Sequence, residues 1–500
     1  VQSEADTSVR PLPAWLALAL VTGTSAAVLV LEILAARLLA PYVGVSIETY
    51  TGIIGTVLAG IAVGAWMGGE AADRVDPRRL IPVLLVVGGA LSIATIPIVR
   101  AVGEAFGGTG GFGILVLTAV GFLPSATVLS AIPPAVVKLQ LRDLHSTGTT
   151  VGRLSAYGTA GAIVATFLTG FVLVAIAAVT TLIVWVGALL VVSGLAFWWW
   201  TGRELRATTA KEITAVSAFA ALTLGGAALL GSPCDSQTEY YCVSIVTDDD
   251  RPSGRVLVLD DLNHSYVDLD DPTHLEFWYT RRFADVVDVL GPDGTVDVLH
   301  VGGGAMTVPT WIQTTRPGSD QVVMEIDGEL VDLVVDEFDR STGPGTGLVV
   351  EVADARLSMA DVDTDSVDVV IGDAFGSRAV PWHLATEEFV TEIQRVLRPA
   401  GVYAINVIDG GGQDFLRAEA ATIAAVFDHV EIALGASAAD GRTGNSVIVA
   451  SDAPIDADAL RRALDGDSGE LVDDPVGFIG GARALTDDFA PVDQMLARSG

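Results

Sequence analysis

From Leu154 to Thr201 the chain runs for 48 residues without one Asp, Glu, Lys or Arg. A water-soluble domain has no place for so long an uncharged apolar run. Two bilayer-crossing helices, at about 20 apolar residues each, account for it directly. The run ends on Trp198, Trp199 and Trp200, side chains that favour the membrane–water boundary. Similar stretches recur near 14–39, 49–69, 80–101, 112–134 and 213–231. With the long run divided into 154–176 and 178–200, the sequence predicts an α-helical bundle of about seven transmembrane spans. The recurrence excludes a cleaved signal peptide as the explanation. Residues 60–74, GIAVGAWMGGEAADR, place small side chains at helical spacing, the pattern of close helix packing in lipid.

Basic residues set the expected orientation. Arg74, Arg78 and Arg79 fall in the second loop, Lys138, Arg142 and Arg153 flank the fourth, and Arg203, Arg206 and Lys211 lie in the sixth. The even loops and the N-terminus are therefore expected in the cytoplasm of a multi-pass cell-membrane protein. Seven spans would put the remainder of the chain outside. Failure of 213–231 to cross would put it inside, so the side stays open. Cys234 and Cys242 follow, and two readings stand for them: a disulfide on the outside, or two unrelated buried thiols. Two cysteines with no nearby histidine do not complete a zinc site, and no metal is expected.

Composition divides the chain at the same place. The 500 residues combine a net charge of −33 with a mean hydropathy of +0.52. Residues 1–231 hold 11 acidic and 12 basic side chains. Residues 232–500 hold 50 acidic and 16 basic ones, every base an arginine. Such a negative second half excludes a nucleic-acid partner, because it repels a phosphate backbone. A dense acidic surface is tolerated where salt screens it, and at molar salt the Debye length is ~3 Å. The expected source is halophilic (haloarchaeal), with most of the acid as solvated surface.

Within the acidic half the clearest signal is VDVLHVGGGAMTV (296–308), a buried strand running into Gly302, Gly303 and Gly304 and then a helix. A glycine turn between strand and helix lets backbone approach a ligand closely. QVVMEID (321–327), LVVEVADA (348–355) and SVDVVIGDAFG (366–376) read as further strands, followed by a helix and a fifth strand to residue 407. Alternating strands and helices predict a parallel, doubly wound α/β sheet of Rossmann-like type, whose ligands bind at the carboxyl ends of the strands. Glu325, Asp354 and Asp373 all fall at such ends.

These residues resemble the polyamine aminopropyltransferases (spermidine synthases) of the class I methyltransferase-like superfamily. The resemblance covers roughly 236–495: the glycine loop, MEID, ADA, the strand ending in Asp373, and LTDDFAPVDQM (485–495). The whole chain, including LEILAARLLAPYVG (31–44), looks like the membrane-fused variety of that family. The implied organisation is a transmembrane domain at 1–231, a linker and β-hairpin lead-in at 232–290, and a nucleoside-binding domain at 291–500.

The resemblance implies that Gly302, Gly303 and Gly304 hold the methionine part of S-adenosylmethionine or its decarboxylated form. It implies Glu325 on the ribose hydroxyls, Asp354 with Ala355 on adenine, and Asp373 as the catalytic carboxylate that helps deprotonate an attacking amine. His264 and His274 in the lead-in, and Asp487 and Asp488 in a loop the family brings near the cleft, are further substrate-contact candidates. A homo-oligomer is a further implication.

The departures concern charge. The family carries Asp where this chain has Ala305 and Gly376, Gln where it has His264, and Tyr where it has His274. The two missing carboxylates are those expected to hold ammonium groups. Three functions are therefore expected in competition. One is aminopropyl transfer to a small amine. Another is methyl or alkyl transfer from S-adenosylmethionine to another acceptor, including a lipid-borne one. The last is a non-catalytic nucleoside-binding or transporter-associated role.

Overall fold

A computed structural model describes residues 12–44, 46–106, 111–141, 147–202, 234–260, 262–375, 380–464 and 467–499. The chain divides into two units, Val1–Pro233 and Cys234–Gly500.

The described part of the first unit is all helical: α1 (Ala14–Val43), α2 (Ile47–Arg74), α3 (Pro77–Phe106), α4 (Gly111–Ser130), α5 (Ile132–Gln140), α6 (Thr147–Leu168) and α7 (Val179–Gly202). The α4–α5 pair forms one apolar rod broken at Ala131, where Pro133 follows at the start of α5. Six candidate spans are long and apolar enough to cross a bilayer among the described residues; the expected span at 213–231 lies outside them. Helix α2 packs on α4, α1 on α6, and α3 on α7. The small-residue pattern of α2 explains its close approach. A Cβ on Gly60 would stand 2.8 Å from that of Ala126, and one on Gly68 would stand 2.5 Å from the Cα of Ala131. Large apolar side chains face outward, with Trp66 70% and Phe171 78% exposed, as suits lipid rather than water.

The second unit begins with an antiparallel sheet in the order β1 (Ser236–Gln237), β2 (Cys242–Thr247), β3 (Gly254–Leu259), β4 (Leu262–Asp268). A larger sheet follows, ordered β12-β10-β11-β9-β8-β5-β6-β7. Its parallel part comprises β5 (Asp297–Val301), β6 (Asp320–Glu325), β7 (Leu348–Val352), β8 (Val367–Gly372) and β9 (Leu397–Asp409). The inner strands β5, β8 and β9 are largely buried, as strands covered by helices on both faces are, while the edge strand β7 leaves Val349 and Val352 exposed.

The expectation of a parallel sheet is corrected beyond β9. There β10 (His429–Gly435), β11 (Gly444–Ser451) and β12 (Gly469–Leu471) pair antiparallel. Only residues 436–443 separate β10 from β11, too few for the crossover that parallel neighbours need. β11 therefore returns antiparallel into the gap between β9 and β10.

Strand order reverses at β5. The chain passes outward to β6 and β7, then back to β8 on the other side of β5. That is the topological switch point at which sheets of this kind open a crevice.

Candidate functional site

At the switch point Gly302 leaves β5 with φ +91°, and its N–H donates to Met324 O at 2.9 Å. A Cβ here would lie 2.5 Å from the carbonyl oxygen of Asp373, so only glycine lets the loop pass the end of β8. Gly304 also has positive φ, +48°, and a Cβ there would stand 2.7 Å from Ser265 Oγ. Ser265 accepts the Ala305 N–H at 3.2 Å, and Thr307 Oγ1 donates to Tyr266 O at 2.9 Å. Strand β4 is thus sewn to the glycine loop.

Glu325 ends β6. Its Oε2 accepts the Gly303 N–H at 2.9 Å and its Oε1 accepts the Asp327 N–H at 3.1 Å. Burial pushes its pKa up, partly offset by these backbone donors. Asp327 caps the helix Gly328–Glu337 through Leu330 N at 3.1 Å and accepts the hydroxyl of Thr238. Asp354, just beyond β7, caps the short helix Ala355–Ser358 through Arg356 N at 2.8 Å. His383 Nε2 stands 4.0 Å from its Oδ1.

Asp373 ends β8, where burial pushes its carboxyl up to about 7 against the opposing hydrogen bonds of Asn406 and Tyr279. Asn406 Nδ2 donates to Asp373 Oδ1 at 3.0 Å, and Asn445 Nδ2 donates to Asn406 Oδ1 at 3.0 Å. With its oxygen occupied by Asn445, Asn406 must turn its amino group toward Asp373. The single hydroxyl proton of Tyr279 has two acceptors within reach, Asp373 and, at 3.1 Å, His264 O. Burial holds that phenol well above its ordinary pKa, so it stays neutral.

Gly302, Gly304, Glu325, Asp354, Ala355 and Asp373 line one cavity of about 190 Å³, with Gly303 in the same loop. His264 lines it too, its imidazole lowered to about 4 by burial and therefore neutral at pH 7. His274 does not: it pairs with Glu276 at 2.9 Å and packs edge-on to Tyr266. Asp487 is engaged elsewhere, on Arg356 Nη2 at 2.7 Å and Thr386 Oγ1 at 2.8 Å, and Asp488 is exposed. His300 is a core residue bonded to Gln321 at 3.0 Å. Gly376 lies outside the described residues. No cluster with metal-ligand character occurs among the described residues.

Sequence reasoning passed over Tyr240, Tyr241 and Ile326, which line the cavity, and the Asn445–Asn406 chain behind Asp373. The asparagines left a readable trace, as lone amides inside the apolar strands YAINVID and GNSVIVA. The tyrosines left none, because their place depends on how β1 and β2 fold back.

A glycine loop, an acid on the second strand and an acid past the third, all at a switch-point crevice, define a mixed α/β domain resembling the methyltransferase-like fold. Its sequence is homologous, at low identity, to polyamine aminopropyltransferases. A probable polyamine aminopropyl transferase of Bifidobacterium longum is 28% identical over 137 residues, covering 27% of this chain and 30% of that protein. The polyamine aminopropyltransferase of Chromobacterium violaceum is 26% identical over 143 residues, 28% of this chain and 53% of that protein. The chain thus spans 30% and 53% of the length of these two curated relatives. Among solved structures, a probable spermidine synthase from Corynebacterium glutamicum shows 27% identity, covers 51% of this chain and 97% of its own, and has a TM-score of 0.48. The spermidine synthase of Thermotoga maritima shows 19% identity, 51% and 81% coverage and a TM-score of 0.36. No protein-family model matches the chain.

Proposed function

We propose that this chain is a membrane-anchored transferase of the spermidine synthase type. It binds S-adenosylmethionine or its decarboxylated form and transfers an aminopropyl group to an amine. One observation carries the reading: Glu325, Asp354 and Asp373, on three separate strand ends, line a single cavity with the glycine loop. Glu325 holds the ribose hydroxyls, Asp354 and Ala355 the adenine edge, and the glycine loop the tail beyond sulfur. An acceptor amine beside Asp373 gives up a proton to the carboxylate, and its lone pair attacks the carbon next to the sulfonium. The N–C bond forms as the C–S bond breaks, and sulfur leaves as a neutral thioether with the electron pair. Asp373, raised to about 7, is a base of suitable strength near neutral pH. Tyr279 and Asn406 orient it, and the cavity aligns the two reactants.

A second reading rests on Ala305, which is fully buried and offers the donor's tail no carboxylate. Both donors carry an ammonium group on that tail, but only S-adenosylmethionine adds a carboxylate, which an acid at 305 would repel and alanine does not. That favours methyl or alkyl transfer from S-adenosylmethionine to another acceptor, including a lipid-borne one presented at the membrane. Full-length protein in detergent and molar salt, given each donor with putrescine or membrane lipid, separates the two by mass spectrometry of the products. Aminopropylated amine supports the first and a methylated product the second. Absence of any product with either donor would remove both.

The described cysteines are joined, Cys234 to Cys242, with Cα atoms 5.5 Å apart. Disulfides persist in oxidising compartments, which supports the acidic unit outside a cell membrane with the N-terminus in the cytoplasm. Thiol labelling of reduced whole cells tests this. Labelling only after permeabilisation would put the unit inside. The outside and transferase readings compete, since S-adenosylmethionine is made inside the cell: labelling without permeabilisation would remove the transferase reading. The acidic surface supports a halophilic habitat.

A further inference from the structure

The segment between the two cysteines is a strap across the cavity. Both cysteines are buried, at 7% and 5% exposure. Between them β1 is only two residues long, pairing Ser236 with Val243 and Gln237 with Cys242. Asp235 donates its N–H to Val243 O at 2.9 Å and accepts the Ile245 N–H at 3.0 Å, so the disulfide closes a loop that hydrogen bonds also hold to β2.

What it carries reaches the site from two directions. Thr238 Oγ1 donates to Asp327 and accepts the Tyr241 N–H at 2.9 Å. Asp327 in turn donates its N–H to Glu325 Oε1 at 3.1 Å. The Tyr241 hydroxyl donates to Phe375 O at 2.9 Å, two residues past Asp373. Tyr240 and Tyr241 both line the cavity. One small loop therefore touches the strand ends bearing both the ribose acid and the base.

Resting on the nucleoside reading above, we infer that the Cys234–Cys242 disulfide is a redox-set positioning device for nucleoside binding. Closed, it holds Tyr240 and Tyr241 against the cavity and keeps Thr238 on Asp327. Reduction by a dithiol moves two electrons and two protons onto the cysteine sulfurs, leaving two thiols and the oxidised, cyclic form of the reductant. The freed strap then gains conformational states in the unliganded protein, and binding has to order it again. The cysteines and tyrosines are positioning residues, since the acids make the bonds assigned to the nucleoside.

The chain contains only two cysteines, so a reductant acts on this bond alone. The test is calorimetric binding of 5′-methylthioadenosine to the full-length protein in detergent and molar salt. It is measured oxidised, after dithiothreitol, and after removal of the reductant and re-oxidation with oxidised glutathione, which is itself reduced to two molecules of glutathione. We expect affinity to fall about tenfold on reduction, part of the loop-closure entropy that the bond removes, and to recover on re-oxidation. Hydrogen exchange should quicken at residues 325–327 and 238–241 on reduction while the amides of β5 and β8 stay protected. Tyr241→Phe, which keeps the disulfide and loses the bond to Phe375, should weaken binding and remain sensitive to reductant. Equal, measurable affinity in the oxidised and reduced protein would overturn the strap and leave the nucleoside reading standing. No binding in either state would overturn the nucleoside reading, and the strap with it.

Discussion

The two units solve the same problem, buried polar groups, with a different balance of local and long-range bonds. In the helical unit most are satisfied one turn back along their own helix: Thr24 on Leu20 O at 2.8 Å, Ser92 on Gly88 O at 2.8 Å, Thr169 on Ala165 O at 2.7 Å, Thr201 on Phe197 O at 2.9 Å; Thr95 also crosses to Gly121 O of α4 at 3.0 Å. In the acidic unit they reach across the chain: His300 to Gln321, Asn406 to Asp373, Asn445 to Asn406, Thr238 to Asp327. A helix in lipid satisfies its backbone within itself because no water stands by, and a hydroxyl can join that ladder or reach a neighbouring helix. A sheet surrounded by water can hold a side chain ready for a partner dozens of residues away. Long-range placement is what brings acids from separate strand ends together at the candidate site in the acidic unit.

The largest test of that contrast is Asp373→Asn. The amide keeps the shape but takes no proton, so turnover should fall by about 10²- to 10⁴-fold with nucleoside affinity nearly unchanged. Turnover at the wild-type rate would remove Asp373 from its role. Glu325→Gln should act on the other quantity. It weakens charge-assisted bonds of about 1.5–3 kcal/mol, so calorimetry should show affinity about 10- to 100-fold lower. Unaltered binding would mean the ribose lies elsewhere.

The pH profile is a milder probe. The carboxylate form of Asp373 is the active one, so the rate should drop about tenfold per pH unit below pH 7 and level off above it. Asp373→Asn should flatten that limb; a limb that survives the substitution belongs to another group.

The smallest effect probes the helical side. Gly68→Leu pushes side chain into the backbone at Ala131, whose Cα would lie 2.5 Å from the new Cβ. It should cost about 1–3 kcal/mol of stability, seen as a lower unfolding temperature in detergent. Affinity for 5′-methylthioadenosine should not change; a change would show that the units are coupled.

Local sequence reports what neighbours along the chain decide. The apolar runs foretold six described helices because a span needs only length and hydropathy. The GGG turn, MEID and ADA foretold where polar groups would stand, because a strand's end and a helix's start are local events. Local sequence was silent where distant segments choose each other. It did not show β11 inserting antiparallel between β9 and β10, a matter of connection length against crossover length. Nor did it separate His264, brought to the cavity by β4, from His274, ten residues on and turned to Glu276. Asp487 looked like a cleft acid in its loop, yet its position is set by Arg356, 131 residues away.

The sequence alone determined the division into an apolar helical unit and an acidic α/β unit, the glycine turn, and the acids at the strand ends. Each follows from hydrophobicity and backbone freedom over short windows. Only the tertiary structure decided that Glu325, Asp354 and Asp373 share one cavity, that Asn445 and Asn406 aim at Asp373, and that Cys234 meets Cys242 around a loop whose two tyrosines line that cavity. Those are distances between residues far apart in the chain, fixed by strand order and packing.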